Sequence, residues 1–234
     1  DLHSFPTRRS SDLGVNQCIV ERPDGKLHGE ILCAGLEREP GLYAPASVLS
    51  LRAMKELIIG GARSGKSTLA EKRAIESGLH VIYVATAQAL DGEMEHRIKL
   101  HRERRPASWG LVESPLGLAE VLRQNAAPDV CLLVDCLTLW LSNMLFAGAA
   151  AQQAESGQPV DCPLFSGEVA ALVETLPQLP GRVIMVSNEV GWGIVPMARV
   201  SRLFADEQGR LNQRVAAVCD AVTLVAAGLP VKLK

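Results

Sequence analysis

Residues 60–67, with the sequence GGARSGKS, constrain the fold of this chain more than any other feature. The segment fits the pattern GxxxxGK[ST], and it lies between a short apolar run at 56–60 and a stretch with helical character at 66–77. Glycines in such a loop permit close approach to a ligand, so that successive backbone N–H groups point at phosphate oxygens. The segment therefore predicts a phosphate-binding loop formed by Gly60, Gly61, Ala62, Arg63, Ser64, Gly65, Lys66 and Ser67.

Three side chains add charge and metal ligands to the predicted nucleotide site. The Lys66 ammonium supplies a positive charge for the terminal phosphates, and the Ser67 hydroxyl is expected to ligate Mg²⁺. A second magnesium ligand is expected from the apolar run VCLLVD at 130–135, which ends in the carboxylate of Asp135. Because Asp135 also precedes a predicted helix, it could instead cap that helix, and the two roles are compatible.

Strand-like and helix-like segments alternate from Met54 onward. Short runs rich in Val, Ile and Leu predict buried parallel strands at 56–60, 81–85, 130–135, 183–187 and 221–226. Helical patterns lie between them at 66–77, 93–104, 116–124, 137–146, 167–175 and 211–218, whereas the small and polar stretch 147–163 predicts a surface loop. This alternation predicts an α/β fold of the P-loop NTPase-like, RecA-like type, with a mostly parallel sheet and helices on both faces.

The first 53 residues differ from the rest of the chain. Residues 4–13, SFPTRRSSDL, resemble the translation of a sequencing-adapter oligonucleotide and are interpreted as an artefact. Residues 14–53 contain turn-rich pieces and no sustained periodicity, although a genuine N-terminal extension is the alternative. We therefore expect a non-native or poorly ordered extension over 1–53 and one P-loop domain over 54–234.

The composition limits the classes of function. The formal net charge is −2 and the pI is about 6.3, so no general basic surface predicts binding to nucleic acid. No apolar run approaches the ~18–20 residues that a membrane-spanning helix requires. The 6 cysteines form no CxxC pair, and Cys131 and Cys136 flank an apolar run, as expected for buried thiols in a reducing compartment. A cytoplasmic globular protein is therefore predicted.

The helix predicted after the second strand carries two histidines and a group of arginines. His96 and His101 are five positions apart, so they point in different directions from a helix. Next to His101 lies a cationic cluster that could hold a triphosphate, formed by Arg102, Arg104 and Arg105. An imidazole kept neutral by such charges is a competent nucleophile toward phosphorus. From spacing alone, however, a solvated or packing histidine and a solvated basic face are the more common outcomes.

Five segments, in this order, resemble one enzyme family. They are the loop GGARSGKS, the strand that ends in Thr86-Ala87-Gln88, the stretch RIKLHRERRP, the stretch VSNEVGWGIVP at 186–196, and GRLNQR at 209–214. Together they resemble the bifunctional adenosylcobinamide kinase / adenosylcobinamide-phosphate guanylyltransferases of cobalamin biosynthesis, and the resemblance covers residues 54–234. The last two segments are far more specific than the phosphate loop, which many unrelated enzymes share.

The resemblance implies a reaction in two steps. ATP or GTP phosphorylates the aminopropanol hydroxyl of adenosylcobinamide, and GTP then donates GMP to the new phosphate, releasing pyrophosphate and giving adenosylcobinamide-GDP. In the family, the second step passes through a GMP–histidine intermediate, and the matching position here is His101. Nucleotide contacts are implied for the phosphate loop and for Thr86, Ala87, Gln88, Arg102, Glu103, Arg104, Arg105, Glu113 and Asp135, with Mg²⁺ held at Ser67 and Asp135.

Two polar groups in the resembling segments have no assigned role. Asn188 and Glu189 follow a predicted strand, at the edge where open α/β sheets bind ligands. They either position substrate or metal, or cap a turn. A second group begins an otherwise apolar helical stretch and faces either the site or an interface; it consists of Asn212, Gln213 and Arg214.

The resemblance also implies a homo-oligomer, specifically a trimer. Trp140 and Trp192 are candidate interface residues, although packing inside the monomer is equally compatible with either. Two other functions remain open from the residues alone. One is a different P-loop small-molecule kinase in which His101 has no catalytic role, and the other is a nucleotide-gated regulatory or ATPase module.

Overall fold

The computed structural model describes residues 53–88 and 106–234. The helix predicted at 93–104 lies outside these ranges, and so does the extension predicted over 1–53, apart from its last residue. None of the helices in the described ranges combines the length and the apolar character that crossing a bilayer requires.

The described residues form a seven-stranded sheet. Its strands are β1 Lys55–Gly60, β2 His80–Ala85, β3 Gly110–Glu113, β4 Val130–Asp135, β5 Arg182–Asn188, β6 Ala221–Ala226 and β7 Leu229–Lys232. They are arranged in the order β3-β2-β4-β5-β1-β6-β7. All neighbouring strands pair in parallel except β6 and β7, which form an antiparallel hairpin. The carboxyl ends of the parallel strands therefore meet at one edge, where open α/β sheets bind ligands.

Helices cover both faces of this sheet. They are α1 Lys66–Glu76, α2 Leu118–Asn125, α3 Leu137–Ala147, α4 Ala150–Ser156, α5 Pro163–Thr175 and α6 Arg199–Val218, with a single 3₁₀ turn at Leu176–Gln178. On one face, α1 packs through Ala70 and Ala74. The other face carries the larger apolar cluster, to which α2, α3, α5 and α6 contribute. Both apolar layers are thus closed by helices.

Side chains alternate between the two apolar layers along each strand. In β4, Leu132 belongs to the larger cluster and Leu133 to the cluster under α1. In β5, Val186 belongs to the cluster under α1. Because the side-chain period of a strand is two residues, Asp135 and Asn188 point to the same side of the sheet as α1. This parity brings polar side chains at two strand ends toward the start of α1.

The predicted fold class is confirmed. All of the predicted strands are present with ends that differ by at most one residue, and the loop 60–67 joins β1 to α1. The phosphate-loop strand β1 and the Asp135 strand β4 are separated by β5, which is the RecA-like order. Burial explains this success, because every central strand is covered on both faces and so reads as an apolar run.

Several predictions of secondary structure were incomplete or wrong. The stretch 147–163 is not simply a loop, since it contains α4, whose buried residues Ala150 and Ala154 lie four positions apart. The helix predicted at 211–218 begins at Arg199; its first half was missed because its apolar residues, among them Leu203 and Phe204, are only partly buried and stand among polar ones. The short edge strands β3 and β7 were not predicted; β7 is exposed throughout and contains Pro230.

Candidate active site

The phosphate loop follows β1 directly, and its glycines are required by its geometry. At Gly60, φ is +155° and a Cβ atom would lie 2.3 Å from the carbonyl oxygen of Val225 in β6. At Gly65, which precedes the first turn of α1, φ is +97°. Any other residue would be strained at both positions. The N-terminus of α1 opens onto the loop, and the positive end of its helix dipole is suited to bind an anion there.

Neighbouring elements hold the loop at both ends. The N–H of Glu189, just after β5, donates to the Gly60 carbonyl at 2.9 Å, and the N–H of Gly228, in the β6–β7 turn, donates to the Ser64 carbonyl at 2.9 Å. The hydroxyl of Ser64 is buried and has no hydrogen-bond partner in the described part of the chain. A phosphate oxygen would supply that missing partner, so the loop fits the ligand that its sequence predicts.

Lys66 is held inside the loop with its charge largely withdrawn from water. Its side chain is 6% exposed, and Nζ donates to the Gly61 carbonyl at 2.7 Å. Burial lowers the pKa of Lys66, whereas the nearby Asp135 carboxylate acts in the opposite direction. Desolvation disfavours the charged ammonium, so an added phosphate would restore the favourable interaction that water no longer provides.

Asp135 ends β4 at the same edge of the sheet. The hydroxyl of Tyr83, in β2, donates to its Oδ2 at 3.0 Å and fixes the carboxylate. The N-cap residue of α3 is Cys136, and no side chain caps this helix. The capping role that the sequence left open for Asp135 is therefore not what the geometry uses. Burial raises the pKa of the Cys136 thiol to about 11, so that thiol is neutral beside the carboxylate at ordinary pH.

The side chains at this edge fit a magnesium ion by their chemistry. Ser67 is the second residue of α1 and is half-buried, and the Asp135 carboxylate accepts from Tyr83 through Oδ2, which leaves Oδ1 without a hydrogen bond from the described residues. Both are hard oxygen donors of the kind that Mg²⁺ prefers, usually together with water and substrate phosphates. Within residues 53–88 and 106–234, no group of three or more His, Cys, Asp or Glu side chains is arranged to hold a metal ion.

Thr86 joins the ends of β2 and β4. It is fully buried; its hydroxyl donates to the Cys136 carbonyl at 2.7 Å and accepts from the Cys136 N–H at 2.8 Å. The Thr86 carbonyl accepts from the Asn143 amide at 2.8 Å. The side chain of Thr86 is thus used within the protein, whereas Ala87 is half-buried and Gln88 is exposed.

Of the other predicted contacts, Glu113 lies within the described residues and the remaining ones lie outside them. Glu113 ends the edge strand β3, is exposed, and pairs in register with Ala85 of β2. The predicted catalytic residue His101 lies outside the described residues. The same holds for the predicted nucleotide contacts Arg102, Glu103, Arg104 and Arg105.

A buried polar network lies behind the end of β5. The Ser187 hydroxyl donates to Asn212 Oδ1 at 2.6 Å, and Gln208 Nε2 donates to the same oxygen at 3.1 Å and to Ser187 Oγ at 2.9 Å. Asn212 also donates to the Asn188 carbonyl at 3.0 Å. The motif GRLNQR indicated polar residues in an apolar helix, but not their partners. Gln208, one turn earlier in α6, was missed altogether.

The two tryptophans singled out as interface candidates differ sharply. Trp140 is fully buried in the larger apolar cluster, and its indole N–H donates to the Leu116 carbonyl. Its role is therefore packing within the monomer. Trp192 is 73% exposed, in a segment after β5 that also exposes Ile194, Val195 and Met197. This apolar segment remains a candidate contact surface.

A sequence model of the family described as cobinamide kinase / cobinamide phosphate guanyltransferase matches residues 56–233. The matched range contains the phosphate loop, Asp135 and the network behind β5. It also contains the stretch 89–105 that lies outside the described residues.

Individual proteins show the same similarity. The bifunctional adenosylcobalamin biosynthesis protein CobP of Pseudomonas aeruginosa is 54% identical over 181 residues, which are 77% of this chain and 98% of the relative. The corresponding CobU of Salmonella typhimurium is 41% identical over 182 residues, which are 77% of this chain and 100% of the relative. Among solved structures, an ATPase from the type III secretion system of pathogenic bacteria is similar at a TM-score of 0.46 and 15% identity, over 89% of this chain and 71% of that chain.

Proposed function

This chain belongs to the cobinamide kinase / cobinamide phosphate guanyltransferase family and is a transferase, and we propose that it converts adenosylcobinamide to adenosylcobinamide-GDP in two steps. The single observation that carries the proposal is a phosphate loop that neighbouring backbone groups hold in place near Asp135. This loop lies in a sequence that matches the family along 56–233. ATP or GTP serves the first step and GTP the second, and both reactions contribute to cobalamin biosynthesis.

The first step is phosphoryl transfer at the phosphate loop. The aminopropanol hydroxyl oxygen attacks the γ-phosphorus, and the bond to the β–γ bridging oxygen breaks. The nucleoside diphosphate leaves, and the hydroxyl proton passes to water. Lys66 and the N–H groups of residues 60–67 bind and orient the phosphates. Mg²⁺ held by Ser67 and Asp135 would neutralise phosphate charge when it is bound. Because phosphoryl transfer depends mostly on positioning and electrostatics, a strong general base is not required.

The second step is guanylyl transfer through His101. A neutral imidazole nitrogen attacks the α-phosphorus of GTP, and the bond to the α–β bridging oxygen breaks, releasing pyrophosphate. A phosphate oxygen of adenosylcobinamide-phosphate then attacks the same phosphorus and displaces the histidine, which gives adenosylcobinamide-GDP. We assign Arg102, Arg104 and Arg105 to the phosphates of GTP, where their charges stabilise the transition state. Glu103 adjoins these arginines and is assigned to the same nucleotide site.

The remaining nucleotide contacts come from the carboxyl edge of the sheet. Ala87 and Gln88 follow β2 and Glu113 ends β3, and we assign all three to the guanine nucleotide together with the backbone of Thr86. We further propose a cytoplasmic homotrimer, with the exposed segment around Trp192 as a candidate contact between subunits. Residues 1–53 are proposed to lie outside the catalytic unit of 54–234.

Covalent labelling tests the histidine role directly. The full chain is incubated with Mg²⁺ and α-labelled GTP, and the label retained on denatured protein is measured in the wild type and in His101→Ala. We expect an acid-labile, base-stable label in the wild type and none in the variant. The matched control is His80→Ala, because His80 is exposed at the amino end of β2 on the opposite edge, and this variant should label normally.

Two results would contradict the proposal. Equal labelling of His101→Ala and the wild type would move the intermediate to another residue. If the wild type phosphorylates adenosylcobinamide but takes no label, the chain is a kinase without guanylyl transfer.

A further inference from the structure

The carboxyl end of β5 lies between the two parts of the candidate active site. In the sheet, β5 is flanked by β1 and β4, and Asn188 pairs in register with Gly60, the first residue of the phosphate loop. On the other side, Val186 pairs with Asp135. Strand parity turns the Asn188 side chain to the α1 side, as it does for Asp135. Asn188 is therefore beside the space that nucleotide phosphates would fill.

Two helices clamp the backbone of Asn188. Its N–H donates to the hydroxyl of Thr138 in α3 at 2.8 Å, and its carbonyl accepts from the amide of Asn212 in α6 at 3.0 Å. The next N–H, that of Glu189, donates to the Gly60 carbonyl. These bonds fix one peptide segment between α3, α6 and the phosphate loop. The direction in which the Asn188 side chain leaves the backbone is fixed with it.

The Asn212 amide is itself oriented by buried polar groups. Ser187 and Gln208 are fully buried and Asn212 is 6% exposed, and all three are joined by hydrogen bonds. Removing such groups from water is unfavourable unless they are paired, and Gln208 Oε1 has no partner in the described ranges. Apolar side chains would fill this space at lower cost. The three side chains are instead joined so that Asn212 Oδ1 accepts two hydrogen bonds, which holds the Asn212 amide in one orientation.

The amide group of Asn188 is left available by this arrangement. The hydrogen bonds that Asn188 makes within the described ranges all involve its backbone, and its side chain is half-buried. An asparagine amide carries two N–H donors and one acceptor oxygen. A donor held in place beside a phosphate needs no reorganisation when charge develops there, which is the arrangement that stabilises transition states.

We propose that the side-chain amide of Asn188 donates to the γ-phosphate of the bound triphosphate, and that Asn212 is a positioning residue that holds Asn188 there. This inference rests on the proposed function only in taking the loop 60–67 as the triphosphate site. It adds a substrate-contacting residue to the phosphoryl-transfer step. It also gives the segment VSNEVG and the motif GRLNQR a shared purpose.

Nucleotide affinity tests the contact without any turnover. Calorimetry with the full chain and Mg²⁺ compares the β,γ-imido analogues of GTP and ATP with GDP and ADP, in the wild type, Asn188→Ala and Asn188→Asp. In Asn188→Asp, a negative charge replaces a donor beside the γ-phosphate. We therefore expect the affinity for whichever imido analogue the wild type binds more tightly to fall by about tenfold or more. Affinity for the matching diphosphate should change less than twofold. Asn125→Ala, at the far end of α2, is the matched control.

Kinetics and a double-mutant cycle test the positioning role. For phosphorylation of adenosylcobinamide, Asn188→Ala should lower kcat by roughly 100-fold with little change in KM for the nucleotide. Asn212→Ala should lower kcat by about tenfold, and its effect should disappear in the Asn188→Ala background. If Asn212→Ala does not fold, Thr138→Val removes the hydroxyl that accepts from the Asn188 N–H, with little change in side-chain shape. The same non-additivity is expected for that variant.

The outcomes separate the inference from the proposed function. A wild type that binds the imido analogue but does not phosphorylate adenosylcobinamide would refute the proposed function, and the affinity comparison would still test Asn188. Equal loss of triphosphate and diphosphate affinity in Asn188→Asp, or no loss of either, would overturn the contact. Additive effects on kcat would overturn the positioning role of Asn212.

Discussion

Lys66 and Asp135 place opposite charges next to the phosphate loop, each at the end of a different element. Lys66 begins α1 and Asp135 ends β4, and the carboxylate raises the pKa of the lysine that burial lowers. The positive charge of Lys66 and the negative charge of Asp135 thus partly offset each other before a ligand binds. Phosphates and a divalent ion together would satisfy both, since the anion replaces the carboxylate beside the lysine and the cation binds the carboxylate.

The charge of Asp135 can be removed without changing its size. Because the asparagine amide is a poor ligand for Mg²⁺, Asp135→Asn should raise the Mg²⁺ concentration needed for half-maximal activity by roughly 10–100-fold. Its melting temperature should stay close to that of the wild type, because α3 is not capped by this side chain. The measurement is a magnesium titration of adenosylcobinamide phosphorylation.

Asp129→Asn is the control for this substitution, since Asp129 is an exposed residue just before the opposite end of β4. Its magnesium dependence should match that of the wild type. An unchanged magnesium dependence in Asp135→Asn would remove Asp135 from the metal site.

Single residues were predicted from sequence wherever a local pattern carries the chemistry. The roles proposed for Lys66 and Ser67 follow from a contiguous motif, and the role proposed for Asp135 follows from an apolar run that ends in an acid. The partner of Asn212 could not be predicted in this way, because Ser187 lies 25 positions away. Only the packing of α6 against β5 brings the two together, and no local pattern reports such a contact.

At the scale of elements, a buried ionic group ties four of them together. Glu56 of β1 is fully buried, and its carboxylate contacts Arg73 of α1, Arg182 of β5 at 3.3 Å and Thr223 of β6 at 3.3 Å. Burying these charges is unfavourable in itself, so the group is not a net source of stability that can be read from its contacts. Removing only one member of this group, however, leaves the opposite charges without a partner.

Glu56→Ala is expected to destabilise the fold strongly. Two arginines would face a cavity in the sheet without their carboxylate, which typically costs about 3–5 kcal/mol. For a domain of this size, the corresponding fall in melting temperature is roughly 6–20 °C. Differential scanning calorimetry measures it.

The exposed pair of Glu120 and Arg123 in α2 provides the comparison. Glu120→Ala should leave the melting temperature close to that of the wild type, because water screens that exposed pair. A similar, small effect of both substitutions would show that Glu56 is not paired as described.

Elements were predictable from sequence in proportion to their burial. β4 is apolar along its length and was located to the residue, whereas β7 is exposed and holds its place by pairing with β6 alone. In α4, the buried face consists of Ala150 and Ala154, which give no contrast with their polar neighbours. The extent of α6 was underestimated because only its second half carries closely spaced buried residues.

At the scale of the whole molecule, bonds at Lys55 connect the beginning of β1 to distant parts of the chain. Its N–H donates to Asp220 at 2.7 Å, and its buried ammonium donates to the carbonyls of Leu179 at 2.8 Å, Gly181 at 3.0 Å and Ala53 at 2.8 Å. Burial lowers the pKa of this ammonium, which makes the three acceptors necessary to it. Lys55 thereby fastens the first strand to the ends of two distant segments.

A chain that begins at Met54 should keep both the fold and the activity. Among the acceptors of Lys55, only the Ala53 carbonyl is lost, at a cost of about 1 kcal/mol and hence about 2–4 °C in melting temperature. Transferase activity should be unchanged. A chain that begins at Leu57 is the matched comparison, since it also loses Lys55 and Glu56, and it should not fold. Calorimetry and activity of the two truncations, measured beside the full chain, decide the point. Loss of soluble protein from the Met54 chain would mean that residues 1–53 stabilise the catalytic unit.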